Sequence, residues 1–139
     1  MSSEQKNVEL VKQHFAMFGQ GNVRAALDML SDNVDFQSPV SGNAPPELSW
    51  ARPRRGREQV VELFQELLEK VELERMELGQ FTVQGDRVVV EGKNQGTVRA
   101  TGRSYEHEWV MIFTIRGDKI VRHRHYYDTA DVAVAFRPQ

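Results

Sequence analysis

The stretch Ser104–Asp128, SYEHEWVMIFTIRGDKIVRHRHYYD, decides the fold. It reads as two strands, Tyr105 to Arg116 and Lys119 to Asp128, joined by a tight turn at Gly117-Asp118. A Gly-Asp dipeptide between two runs rich in β-branched and aromatic residues marks an antiparallel hairpin. Successive strand residues point to opposite faces. Tyr105, His107, Trp109, Met111, Phe113 and Ile115 therefore share one face of the first strand, and Glu106, Glu108, Val110, Ile112 and Thr114 the other. On the second strand Val121, His123, His125 and Tyr127 oppose Arg122, Arg124, Tyr126 and Asp128. Opposite charges favour neighbouring positions across strands, which puts the arginines on the side of Glu106 and Glu108 and three histidines on the aromatic side. A single β-bulge would exchange the faces beyond it and turn His123 and His125 outward.

Upstream, Phe81 to Gln84, a turn at Gly85-Asp86, and Arg87 to about Arg99 continue the meander, with a further turn around Gly102. Before them an amphipathic helix runs from Glu58 to about Val71, with Val60, Val61, Phe64, Leu67, Leu68 and Val71 inward and an acidic outer face. Residues 39–56 hold four of the five prolines and no periodicity. So long a connection suggests a lid or a disordered segment, and Trp50 within it suits a lid as well as simple packing. At the N-terminus Ser2 and Gln5 have capping-box spacing, and Val8, Val11, Phe15 and Phe18 recur at helical intervals until Gly19 and Gly21. His14 lies on the apolar side of that helix. Asn22 can cap a second short helix carrying Leu27 and Leu30, and Val34 to Gln37 alternates like a strand that Pro39 ends. The order predicts an α+β domain, helices on one face of a curved antiparallel sheet, with a concave pocket at its mouth.

The 139 residues suit one domain, 1–139. Hydrophobic residues at 40% and charged ones at 27% are ordinary for a globular chain, and a net charge of −2 offers no field for nucleic acid. No segment reaches the 18 or so unbroken apolar residues of a membrane span, so cytoplasmic residence is the default expectation and no membrane partner is foreseen. The absence of cysteine removes thiolate metal sites and cysteine nucleophiles.

If the faces are right, all four histidines line one interior. Three readings of that cluster stand side by side: packed core or interface imidazoles, general acid/base groups whose pKa an apolar pocket moves, and metal ligands at His123-x-His125. No HExxH pattern or third ligand supports the metal, and no serine elbow supports a nucleophilic triad. Arg52, Arg54, Arg55 and Arg57 suit either an anionic ligand or a solvated loop. Asp128 precedes a helical TADVAVAF tail, which makes capping its simplest role.

The segments RSYEHEWVMIFTIRGD and KIVRHRHYYDTA, the helix ending FGQGN, the LSDNVDFQSP step and the RRGREQVVELF helix together resemble SnoaL-like, ketosteroid isomerase-like proteins of the nuclear transport factor 2-like superfamily. The resemblance spans nearly the whole chain. It implies a cone of helices packed on a curved sheet and a homodimer through that sheet. On its own it does not fix an activity, because isomerases, cyclases, epoxide hydrolases and non-enzymatic binders share the scaffold. In steroid isomerase-like members a carboxylate base precedes the first-strand proline, where this chain has Ser38 before Pro39. Their first-helix tyrosine falls at His14 and their third-strand acid at Met111, so that mechanism is not inherited. The last-strand aspartate of cyclase and limonene epoxide hydrolase-like members falls at His125. The expectation is a small hydrophobic, cyclic ligand, with no cofactor and no metal. Phe18, Trp50, His107, Trp109, Met111, Phe113, His123 and Tyr127 would bind it. If chemistry occurs, His125 is the general base and His14 the hydrogen-bond donor. The alternative is a non-catalytic ligand-binding or protein-interaction module of the same fold.

Overall fold

The computed structural model describes residues 1–138. The elements are α1 (Ser3–Gly19), α2 (Val23–Asp28), β1 (Leu30–Gln37), β2 (Arg54–Arg55), α3 (Arg57–Lys70), β3 (Val71–Gln84), β4 (Arg87–Val98), β5 (Ser104–Arg116), β6 (Lys119–Tyr127) and α4 (Thr129–Ala135). Six strands form one sheet in the order β2-β1-β6-β5-β4-β3. All neighbours are antiparallel except β1 and β6, which run parallel. The parallel pair departs from the antiparallel sheet foreseen from sequence. It arises because the chain returns from β1 through α3 and the whole meander before closing the sheet beside it.

Ser2 caps α1 as its spacing predicts: Gln5 N–H donates to Ser2 Oγ at 3.1 Å, and Ser2 N–H donates to Gln5 Oε1 at 2.8 Å. Val11, His14 and Phe15 of this helix are buried. Asn22 caps α2 by accepting from Ala25 N–H. That helix stops at Asp28, and Leu30 opens β1 instead of riding on the helix, because Met29 C=O and Leu30 already pair with Ile120. In α3 the fully buried residues are Val60 and Leu63, while Leu68, expected inward, is 40% exposed.

The strand β3 is far longer than the four residues 81–84 that alternation reveals. Its register against β4 shifts between Leu73 and Arg75 and again between Leu78 and Phe81. Each shift breaks the period of two, which hides the strand in the sequence. Gly92 and Gly96 of β4 are required by close approach. A Cβ at Gly92 would collide with the Trp109 indole, and one at Gly96 would meet the Tyr105 hydroxyl at 2.5 Å. Both rings of β5 lie flat across β4 only because those side chains are absent.

The loop 39–56 is a packed strap and not a free lid. Trp50 and Leu48 are buried, and the buried Arg54 guanidinium donates to the carbonyls of Trp50 (3.0 Å), Arg52 (3.2 Å) and Gln59 (3.1 Å). The rest of the arginine cluster is engaged with acids of the chain itself. Arg52 pairs with Glu66 at 2.6 Å, Arg55 lies 3.8 Å from Asp35, and Arg57 pairs with Asp32. The Asp128 side chain accepts from Asp131 N–H and caps α4, as expected. Among the described residues, no helix is long and apolar enough to cross a membrane.

Candidate histidine–aromatic site

The hairpin of β5 and β6 carries one extra residue. Ile115 pairs with Ile120, whereas Thr114 pairs with Arg122 and Phe113 with His123, so Val121 is left over as a bulge. An unbroken two-residue hairpin would set Phe113 opposite Arg122 and turn His123 and His125 outward. The bulge reverses this, and Ile120 and His123, three apart, are both buried. The bulge foreseen as a threat to the site is what creates it, and Val121 is not on the histidine face.

All four histidines are inside, with exposures of 4% for His14, 8% for His107, 5% for His123 and 8% for His125. They form a continuous row of rings. His14 stands edge-on to Phe18 at 5.1 Å and to Phe113 at 5.8 Å, and Phe113 stands edge-on to His123 at 4.9 Å. His123 stacks on Phe36 at 4.2 Å and approaches His125 to 6.3 Å. His125 meets Tyr127 at 4.7 Å and the Trp109 edge at 5.7 Å. His107 lies stacked between Tyr105 (5.3 Å) and Tyr127 (4.9 Å). Met111 sits opposite His125 across the hairpin, and Trp50 Nε1 donates to the Tyr127 hydroxyl at 3.3 Å. The structure thus brings together the four histidines and the apolar and aromatic residues expected beside them, while the arginine cluster and Asp128 lie elsewhere.

Few of the imidazole nitrogens have partners. His125 Nδ1 lies 2.9 Å from Ser38 Oγ. His14 Nδ1, His123 Nδ1, His125 Nε2 and both nitrogens of His107 are buried with none. The inward residues of β4, namely Val88, Val90, Gly92, Asn94, Gly96 and Val98, include no ionised group, nor do those of β5 and β6. With nothing to pair a charge, burial holds the imidazoles neutral. It pushes His14 down to about 4 and His125 down to about 3, and it lowers His123 and His107 in the same direction. At His14 the backbone of Ala26 partly offsets the effect of burial. Nearby Asp131 and Asp128 partly oppose the shift at His107. Burial likewise raises Tyr105 to about 12 and Tyr127 higher still.

Arg124 is also buried, but on the opposite face. Its guanidinium donates to the Asp35 carboxylate at 2.9 Å and to the Asp35 carbonyl at 3.0 Å, so its charge is satisfied away from the row. No group of three or more histidine and acidic side chains among the described residues is arranged to hold a metal ion. A groove of about 540 Å³ crosses β3 to β6 on the outer side of the sheet, where Glu91, Lys93, Glu108, Val110 and Tyr126 line it, and touches the row only through Trp109 and Tyr127. The imidazoles do not line it: they are packed against their ring neighbours where a histidine-lined opening was expected.

Sequence reasoning passed over three members of this site. Ser38 was noted only as a missing carboxylate, and its meeting with His125 depends on the parallel β1–β6 pairing, which sets Phe36 beside His123. Phe36 enters through the same pairing. Asn94, whose Oδ1 accepts from Trp109 Nε1 at 2.8 Å, lies in a polar part of β4 that signals nothing by itself.

Comparison with solved structures places this architecture. A nuclear transport factor 2-like protein of Burkholderia xenovorans LB400 is 33% identical, with 97% of this chain and 98% of that one covered and a TM-score of 0.81. A second such protein, from Burkholderia thailandensis E264, is 24% identical with a TM-score of 0.84, covering 95% of this chain and 98% of that one. An LEH-like epoxide hydrolase of M. tuberculosis is 14% identical with a TM-score of 0.73, covering 96% and 91%, which is a likeness of fold. No curated protein matches significantly. The SnoaL-like domain model matches residues 11–123, from the first buried valine of α1 to the histidine that the bulge turns inward. The chain belongs to the SnoaL-like family.

Proposed function

We propose that this protein is a cytoplasmic binder of a small, uncharged, largely apolar ring molecule, which it holds against the histidine–aromatic row. The observation that carries the reading is the row itself: buried neutral imidazoles with unpartnered nitrogens, walled by aromatic rings, on a sheet face free of ionised groups. Such a surface gains from burying apolar area and offers hydrogen bonds only to polar atoms that bring no charge. A charged ligand would lose its hydration and find no counter-ion there. Residues Phe18, Trp50, His107, Trp109, Met111, Phe113, His123 and Tyr127 form the proposed contact set.

Isothermal titration with 2-naphthol and 2-naphthoate, paired with NMR of the imidazoles, tests this. 2-Naphthol should bind and shift several histidine resonances together, and 2-naphthoate should not. Equal binding of the anion, or binding that leaves all four histidines unmoved, would refute the proposal.

A second reading is proton-transfer catalysis of the isomerase, cyclase or epoxide-opening type with His125 as base. The Ser38–His125 contact favours it. The low basicity of His125 counts against it, since a general base works best with a pKa near the operating pH. An active preparation in which His125→Ala leaves turnover unchanged would eliminate it. We also propose a homodimer through the outer sheet face, where Val110 and Ile112 are half-buried and Tyr126 is 42% exposed. Light scattering that gives a monomer mass at micromolar concentration would refute the dimer.

A further inference from the structure

Among the described residues, Ser38 is the side chain that hydrogen-bonds a histidine of the row, with its Oγ 2.9 Å from His125 Nδ1. Both partners are held by backbone. Phe36 pairs with His123 and Gln37 with Arg124, so Ser38 comes next beside His125, and Val40 N–H donates to the His125 carbonyl at 3.0 Å. The direction of the Ser38–His125 bond decides what the other ring nitrogen offers. Were the serine hydroxyl the donor, the ring proton would sit on Nε2, and that atom is buried with no acceptor. A buried N–H without a partner is the rarer and costlier orphan, whereas a bare lone pair is better tolerated. The lower-energy arrangement has Nδ1–H donating to Ser38 Oγ, which leaves a lone pair on Nε2.

We infer that Ser38 is a positioning residue that fixes His125 as the Nδ1–H tautomer, so that Nε2 waits in the interior as an acceptor for a ligand hydroxyl. The assignment of ligand class rests on the preceding functional reading and narrows it to hydroxylated rings, phenols or cyclic alcohols. Ethers and ketones have no hydrogen to give at that point and leave the lone pair unmet. The tautomer itself does not depend on any ligand.

The test is a long-range proton–nitrogen correlation spectrum of the ligand-free protein, labelled with ¹⁵N histidine, at pH 7. The expected result is a pyrrole-type Nδ1 and a pyridine-type Nε2 at His125. In Ser38→Ala the two nitrogen shifts should move toward each other as the preference is lost. A pyrrole-type Nε2 in the unaltered protein, or a Ser38→Ala spectrum identical to it, overturns the positioning role. Calorimetry with 2-naphthol and 2-methoxynaphthalene tests the ligand class, and about tenfold weaker binding of the methyl ether is the scale of one hydrogen bond. Equal affinity for the two naphthalenes overturns the requirement for a hydroxyl while leaving the binding of neutral rings intact. Because the tautomer is read before any ligand is added, it stands or falls whether or not either naphthalene binds.

Discussion

Lowering the pH from 7 to 5 should strip this protein of much of its stability through the buried histidines. An unfolded histidine titrates near 6.5, while burial holds His14 at about 4 and His125 at about 3 in the folded chain. The folded pKa values lie below the unfolded ones, so the unfolded state binds more protons throughout the interval between them, and stability falls as the pH falls. Well above 6.5 neither state is protonated and nothing is lost. At pH 5 the unfolded chain carries nearly one proton at each site and the folded chain almost none, a loss of about 2 kcal/mol per histidine. His14 and His125 together give about 4 kcal/mol, a large part of the roughly 5–15 kcal/mol of a typical domain. His123 and His107 shift in the same direction and add to the loss. Carboxylates held low by arginine, such as Asp35 beside Arg124, contribute stability that disappears only as the pH falls through the carboxylate range, which keeps the two effects apart. Urea denaturation followed by tryptophan fluorescence measures this directly. With a slope of about 1–3 kcal/mol per molar, the midpoint should drop by about 2 M between pH 7 and 5. In His14→Gln, which cannot titrate, the drop should shrink by about 1 M, the share of one imidazole. Equal midpoints at the two pH values, or an undiminished drop in His14→Gln, would refute the claim that these imidazoles are buried neutral.

Gly92→Ala drives a methyl into the Trp109 indole and should cost about 1–3 kcal/mol in thermal or urea unfolding, whereas the exposed Gly42→Ala should cost little. Arg54→Met keeps the buried bulk but removes the three carbonyl contacts that hold the strap. It should open residues 39–53 to limited proteolysis at a protease concentration that leaves the parent intact, and an unchanged cleavage pattern would show that the strap is held by its apolar residues alone. Asp128→Ala deprives α4 of its cap and should lower stability by about 1 kcal/mol, with Asp128→Asn restoring most of it.

Much of this protein is legible in its sequence because the forces involved are local. The capping box at Ser2 and Gln5 and the caps at Asn22 and Asp128 each depend on residues three apart. The aromatic face of β5 follows from simple alternation, and so does the pairing of His123, His125 and Tyr127 on a common face of β6. What alternation cannot supply is which face turns inward, because that depends on the count of residues between one strand and the next. Val121 is a single extra residue, and it decides whether histidines or arginines enter the core. The bulges of β3 hide that strand for the same reason. Ser38 meets His125 across 87 positions through a parallel pairing that neither segment announces. Trp50 is fixed by a buried arginine that looks, in sequence, like part of a solvated cluster. Periodicity and capping were therefore settled by the sequence itself, being written into neighbouring residues. Register, closure of the sheet and the neutral state of the histidines were settled only by tertiary structure, since each depends on which distant groups exclude water from the row.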